Sequence, residues 1–190
     1  MSTDETVPTS PDDAEIVVQD GENGMVHVET ETSEIDITGD GQPDGYRSVT
    51  TESREYDLDG DGASDVFETV TVEQTSVDVD GDGVADVITT VETSEIQMDL
   101  TGDGEADSFE LTEVRTVAHD IDADGMPNVT RTEVVTASGI DPVDGEYQDV
   151  ETSGVRLFGL DSSGDGVIDE VVAEELDVEV VQGDDAQGED

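Results

Sequence analysis

A nine-residue Asp/Gly string recurs every 21 residues, and that fixed step restricts the chain to a regular array of small units. The string is DITGDGQPD from Asp36, DLDGDGASD from Asp57, DVDGDGVAD from Asp78, DLTGDGEAD from Asp99 and DIDADGMPN from Asp120. One more step reaches Asp141, where DPVDGEYQD is a decayed copy, and a step of 20 reaches DSSGDGVID from Asp161. Between the strings lie segments of about twelve residues, such as VFETVTVEQTSV (66–77) and VITTVETSEIQM (87–98). They are rich in Thr and Val, which favour pleated backbone, and they carry no Gly, Pro or Asn. The density of β-branched residues disfavours a helix. Strands are therefore predicted at 24–35, 45–56, 66–77, 87–98, 108–119, 129–140, 147–158 and 168–181. Twelve residues span about 40 Å, long enough that a bulge or bend is expected within each strand.

The fold class predicted is all-β: a 21-residue loop-strand array forming an antiparallel up-and-down meander, as an open sheet or a barrel. The alternative is a β-solenoid with parallel strands and every loop on one edge. A nine-residue loop is too short for a parallel crossover within one layer, which favours the meander. Residues 1–13 and 182–190 read as disordered acidic tails flanking one domain at 14–181. Apolar residues gather where strands meet loops: Ile35, Tyr56, Val77, Met98 and Ile140 before the first Asp, and Ile37, Leu58, Val79, Leu100 and Ile121 after it. The strand middles are Thr, Glu and Ser, so only a thin core is expected, and the loops are the candidates for fixing register.

Charge narrows the function. The chain has 54 Asp and Glu against 5 basic residues, all Arg, for a formal net charge of −49. A field of this sign repels nucleic acid and anionic membrane surfaces, and no apolar run is long enough to span a bilayer. There is no cysteine, hence no disulfide framework, thiolate zinc site or Cys nucleophile. Only His27 and His119 offer imidazole, which disfavours transition-metal sites. No nucleophile elbow and no phosphate-cradling loop with a Lys is visible, so no enzymatic activity is expected.

The strings fit a hard cation. Ca²⁺ takes six to eight oxygens, and carboxylates at alternate positions 1, 3 and 5 of a tight loop converge on one point. Gly at position 6 permits the turn, and positions 9 and 12 supply further oxygens. The Asp57 loop offers Asp57, Asp59, Asp61 and Asp65, with Glu68 at position 12. The Asp99 loop offers Asp99, Thr101, Asp103, Asp107 and Glu110. The Asp78 loop offers Asp78, Asp80, Asp82 and Asp86, and the Asp36 loop offers Asp36, Thr38, Asp40 and Asp44. The Asp120 loop offers Asp120, Asp122, Asp124 and Asn128, and the Asp161 loop Asp161, Ser163, Asp165 and Asp169. Mg²⁺, which demands a stricter octahedron and keeps its waters, is the lesser candidate. An ordinary Asp-Gly turn would not need acids at positions 1, 3, 5 and 9 together.

These loops resemble the Asp-rich calcium loops of dockerins, thrombospondin type-3 repeats and integrin-type propeller blades. The resemblance implies calcium and covers only the nine-residue loops. Dockerins follow the loop with a helix, thrombospondin repeats carry cysteines, and propeller blades space their loops further apart. Loops on a short period with polar strands between are also similar to acidic repeat proteins of bacterial surfaces.

The expected function is a calcium-binding structural or surface repeat protein in which the ion stabilises the fold. Its alternatives are a calcium buffer or sensor, and a salt-adapted acidic β protein without specific metal sites. Four of the six loops lack an acid at position 12, which points to weak sites of the extracellular kind. An extracellular or cell-surface location is expected on that ground. The alternative is the cytoplasm, because the N-terminus lacks a charged n-region with an apolar h-region behind it. The sequence names no protein partner.

Overall fold

The computed structural model describes residues 13–19, 24–140 and 148–177. Apart from Asp13, which opens a strand, the tails expected at 1–13 and 182–190 lie outside the described residues, as does most of the Asp141 copy. Among the described residues nine strands form one sheet: β1 (Asp13–Gln19), β2 (Gly24–Ile35), β3 (Gly45–Tyr56), β4 (Val66–Val77), β5 (Val87–Met98), β6 (Ser108–His119), β7 (Val129–Ile140), β8 (Gln148–Leu160) and β9 (Glu170–Glu175). Their spatial order is their chain order, every pair is antiparallel, and the sheet is open with β1 and β9 at its edges. The meander is thus an open sheet, neither a barrel nor a solenoid.

Each strand meets its neighbour end to end. Gly45 pairs with Val77 and Tyr56 with Val66; Val66 in turn pairs with Met98 and Val77 with Val87. The bulges expected within the long strands are absent from these ladders, and among the described residues the register shifts only between Ser138 and Ile140 on β7. Alternation puts Val66, Glu68, Val70, Val72, Gln74 and Ser76 on one face of β4, with Phe67, Thr69, Thr71, Glu73, Thr75 and Val77 on the other. Neither face is apolar, and no second layer of described residues covers either. No hydrophobic side chain among the described residues is buried. This corrects the expectation of a thin core. The apolar residue at loop position 2 points into solvent: Ile37, Leu58, Val79, Leu100 and Ile121 are 63–72% exposed.

Backbone ladders and short cross-strand pairs therefore hold the sheet. Thr30 and Thr50 lie 3.1 Å apart between hydroxyl oxygens, Thr116 and Thr132 3.0 Å, and Thr136 and Ser153 2.7 Å. Arg47 grips Glu73 with two hydrogen bonds of 2.7 and 2.8 Å across β3 and β4. Arg156 bridges Glu133 and Glu174 across three strands. These pairs are part-buried or exposed, none fully buried, and contribute little each. In a sheet polar on both sides a slipped register costs little side-chain burial. The constant loop length fixes it instead. In every described nine-residue loop the last residue donates its N–H to the carbonyl preceding the first: Asp44 to Ile35 (2.7 Å), Asp65 to Tyr56, Asp86 to Val77, Asp107 to Met98, Asn128 to His119 (2.8 Å each) and Asp169 to Leu160 (2.9 Å).

Candidate metal centre

The loops alternate between the two ends of the sheet. The Asp36, Asp78, Asp120 and Asp161 loops share one end, and the Asp57 and Asp99 loops the other. Each is built around its carboxylates. In the Asp57 loop, Asp57 accepts the N–H groups of Gly60 (2.6 Å) and Gly62 (2.9 Å), one on each oxygen. Asp59 accepts the N–H of Asp61 (3.0 Å), and Asp61 that of Ala63 (2.8 Å), each through Oδ1. Asp65 reaches back to accept the N–H groups of Leu58 (2.6 Å) and Asp59 (3.3 Å) through Oδ2. Gly60 and Gly62 adopt φ of 81° and 94°, a region that L side chains enter only with strain. The D-x-x-G-x-G spacing is thus a turn in which glycine N–H groups wrap the first carboxylate. Oδ2 of Asp59 and of Asp61 and Oδ1 of Asp65 take no part in these bonds.

Three loops gather three carboxylates with ligand oxygens within 4.8 Å of one another: Asp57, Asp59 and Asp61; Asp78, Asp80 and Asp86; and Asp120, Asp122 and Asp124. These are the loops with Asp at position 3. Where Thr38, Thr101 or Ser163 stands there, no such triplet forms among the described residues. In two of those loops the hydroxyl turns to the first carboxylate: Thr38 to Asp36 (3.5 Å) and Ser163 to Asp161 (3.2 Å). Asp40, Asp82, Asp103, Asp124 and Asp165 each accept the N–H two residues on. At position 9 the backbone acceptor is Asp44, Asp65, Asp86, Asp107, Asn128 or Asp169. The expected position-12 ligands stand on strands, outside the triplets. Glu68 on β4 is ion-paired to Arg54 at 3.3 Å, and Glu110 on β6 is exposed.

The backbone bonds set the charge state of several loop acids. N–H donation, led by Thr38 at Asp44 and by Gly104 at Asp99, holds both carboxyls below the usual 3.8. At Asp161 desolvation pushes upward but is outweighed by the Gly166 and Gly164 N–H groups; Asp169 is lowered chiefly by the Ser162 hydroxyl. A carboxyl depressed in the folded state stabilises the fold above the unfolded pKa, and that stabilisation is lost as pH falls through the lower, folded value. In 1 M NaCl, where general repulsion is screened, the unfolding midpoint is expected to hold from pH 7 to 5. It should drop once pH passes below about 4. Thermal melts across that range check it.

The Asp120 loop departs from the rest. Position 4 is Ala123 instead of glycine, and Ala123 sits at φ 58°, the one non-glycine residue with positive φ among those described. Elsewhere the position-4 N–H donates to Oδ1 of the first Asp: Gly39, Gly60, Gly81, Gly102 and Gly164 do so at 2.6–2.7 Å. In this loop Gly125 still donates to Oδ2 of Asp120 (2.7 Å), but Oδ1 is buried with no hydrogen-bond partner. Asp120 as a whole is 8% exposed. An ionised oxygen kept from water without a partner is costly, and a cation held with Asp122 and Asp124 would satisfy it. Ala123→Gly removes the left-handed strain, about 1–2 kcal/mol, against a smaller entropic cost of glycine. The expected result is a rise of roughly 2 °C in the calcium-free melting midpoint; a fall would contradict this reading of the strain.

Sequence reasoning named candidate ligand positions but missed the position-4 glycine and its bond to the first carboxylate. The recurring Gly at that position was the available signal. No family model, curated protein or solved structure matches the chain.

Proposed function

We propose that the chain is a calcium-binding structural protein, a spacer or surface module whose loops hold the ion and whose sheet depends on it. The observation that carries this reading is Oδ1 of Asp120, buried and unpartnered inside a triplet of carboxylates. The donor set is hard oxygen throughout, and the loops need not impose a strict octahedron, which favours Ca²⁺ over Mg²⁺. The residues that would hold the ion are Asp57, Asp59 and Asp61; Asp78, Asp80 and Asp86; and Asp120, Asp122 and Asp124. The Asp36, Asp99 and Asp161 loops, with a hydroxyl at position 3, would be weaker sites. Sites lacking position-12 acids suit millimolar calcium, hence a location outside the cytoplasm.

A second reading has its own support: in the other described loops the first carboxylate is already satisfied by two glycine N–H groups. Such turns serve a salt-adapted acidic protein without a specific ion. Equilibrium dialysis with radioactive calcium in 0.15 M KCl separates the two. Three or more saturable ions per chain, displaced only by a large excess of Mg²⁺, support the calcium reading. Binding that never saturates, or that Mg²⁺ displaces equally, leaves the acidic-turn reading.

A further inference from the structure

We propose that cation binding is coupled along each end of the sheet and independent between the two ends, so that loops sharing an end fill as a row. This rests on the calcium reading above and adds its regulation. The coupling element is a single peptide unit at each loop entrance. The carbonyl of the Val77–Asp78 unit accepts the N–H of Asp86, closing its own loop at 2.8 Å. The N–H of the same unit donates to the Asp44 carbonyl of the preceding loop, also at 2.8 Å. The His119–Asp120 unit links to Asp86 in the same way (2.9 Å), and the Leu160–Asp161 unit to Asn128 (2.8 Å). At the other end the Met98–Asp99 unit links to Asp65 (2.9 Å).

The linked residues carry the candidate ligands. The residue whose carbonyl accepts occupies position 9, and the residue whose N–H donates occupies position 1. Fixing the last ligand of one loop therefore fixes the first ligand of the next, and hydrogen bonds strung through one peptide plane reinforce one another. Burial follows the same order. Asp36, with no described loop before it in its row, is exposed, whereas Asp120 and Asp161 are 8% and 6% exposed. A side-chain contact adds to the link where Met126 of the Asp120 loop packs against Gly166 of the Asp161 loop. Neighbouring loops at one end are two strands apart, about 10 Å, while a twelve-residue strand keeps the ends about 40 Å apart. Two cations at 10 Å repel, so electrostatics alone would make filling anticooperative; positive coupling identifies the backbone route.

The test is a calcium titration followed by ¹⁵N NMR on the full chain in 1 M KCl, where the Debye length is about 3 Å. The reporters are the position-6 amides of Gly41, Gly62, Gly83, Gly104 and Gly125. In D80N/D86N, which disables the Asp78 loop and keeps its backbone bonds, the midpoints at Gly41 and Gly125 are expected to rise about fivefold or more. Those at Gly62 and Gly104 are expected to stay within about twofold, since coupling is carried by contiguous contacts. The mirror variant D59N/D61N should move Gly104 and spare Gly41, Gly83 and Gly125. Equal shifts at both ends, no shift at the neighbours, or tighter neighbours would each overturn the proposal. Loops that saturate independently sink the coupling and leave the calcium reading standing; wild-type amides that never saturate sink both.

Discussion

Saturating calcium is expected to raise the midpoint of thermal unfolding by about 15–30 °C over EDTA-treated protein at low ionic strength. The sheet has no buried hydrophobic side chain among its described residues, so the usual source of stability is missing. A formal charge of −49 opposes compaction throughout. An ion bound only by the folded state adds RT ln(1 + [L]/Kd), about 2.7 kcal/mol at a hundredfold excess over Kd. Three loops bring triplets of carboxylates together. Their filling supplies roughly 8 kcal/mol, comparable to the whole net stability of an ordinary domain. At about 2–4 °C per kcal/mol for a chain of this size, the shift is large. If all six loops filled, the 12 added positive charges would leave about −37 of the original −49. Differential scanning calorimetry reads the shift directly, and one below about 5 °C contradicts metal-dependent stability.

A variant that neutralises one loop is expected to change stability in opposite directions with and without calcium. Asp80→Asn with Asp86→Asn removes two charges from the triplet with Asp78. The turn should persist, because each carboxylate holds its N–H donors through one oxygen: Asp80 that of Asp82, and Asp86 those of Val79 and Asp80. Asn128 already does this at the equivalent place, where its Oδ1 accepts the N–H groups of Ile121 and Asp122 at 2.5 and 3.3 Å. Three like-charge pairs disappear, each worth about 1 kcal/mol in water at such separations. Without calcium the variant should therefore melt about 5–10 °C higher than the wild type in low salt. With calcium at about a thousandfold excess over Kd that advantage should reverse, since one site of about 4.1 kcal/mol is gone. Melts of both proteins in EDTA and in calcium would show the crossing. A variant more stable under both conditions means that the acids are turn residues and nothing more.

The repeat made most of the architecture readable before any coordinates. The six strands from 24–35 to 129–140 fall where Thr/Val segments alternate with nine-residue strings, because each string closes a loop of one fixed length. Reading failed where that register failed. β1 at Asp13–Gln19 precedes the first string and was not anticipated as a strand. β8 runs Gln148–Leu160 against 147–158, because the copy at Asp141 had lost its spacing; β9 runs Glu170–Glu175 against 168–181, of which 178–181 lie outside the described residues. The core could not be read correctly either. Apolar residues at position 2 look like packing residues in the sequence, but a single layer gives Ile37 or Leu58 nothing to pack against. Glu68 matches the twelfth position of a calcium loop, yet the β3–β4 register sets Arg54 directly opposite it. The bonds between loops of one end join backbone groups in different repeats, which no side-chain pattern encodes.

The most direct test of calcium-dependent folding is far-UV circular dichroism during a calcium titration from EDTA-treated protein, beside a sodium chloride titration at matched ionic strength. Just above the calcium-free melting midpoint, the expected result is a disordered starting spectrum that becomes β-like with calcium, at concentrations where sodium has no effect. A sheet that melts at the same temperature in EDTA as in calcium, or sodium chloride that works as well as calcium, would contradict calcium-dependent folding.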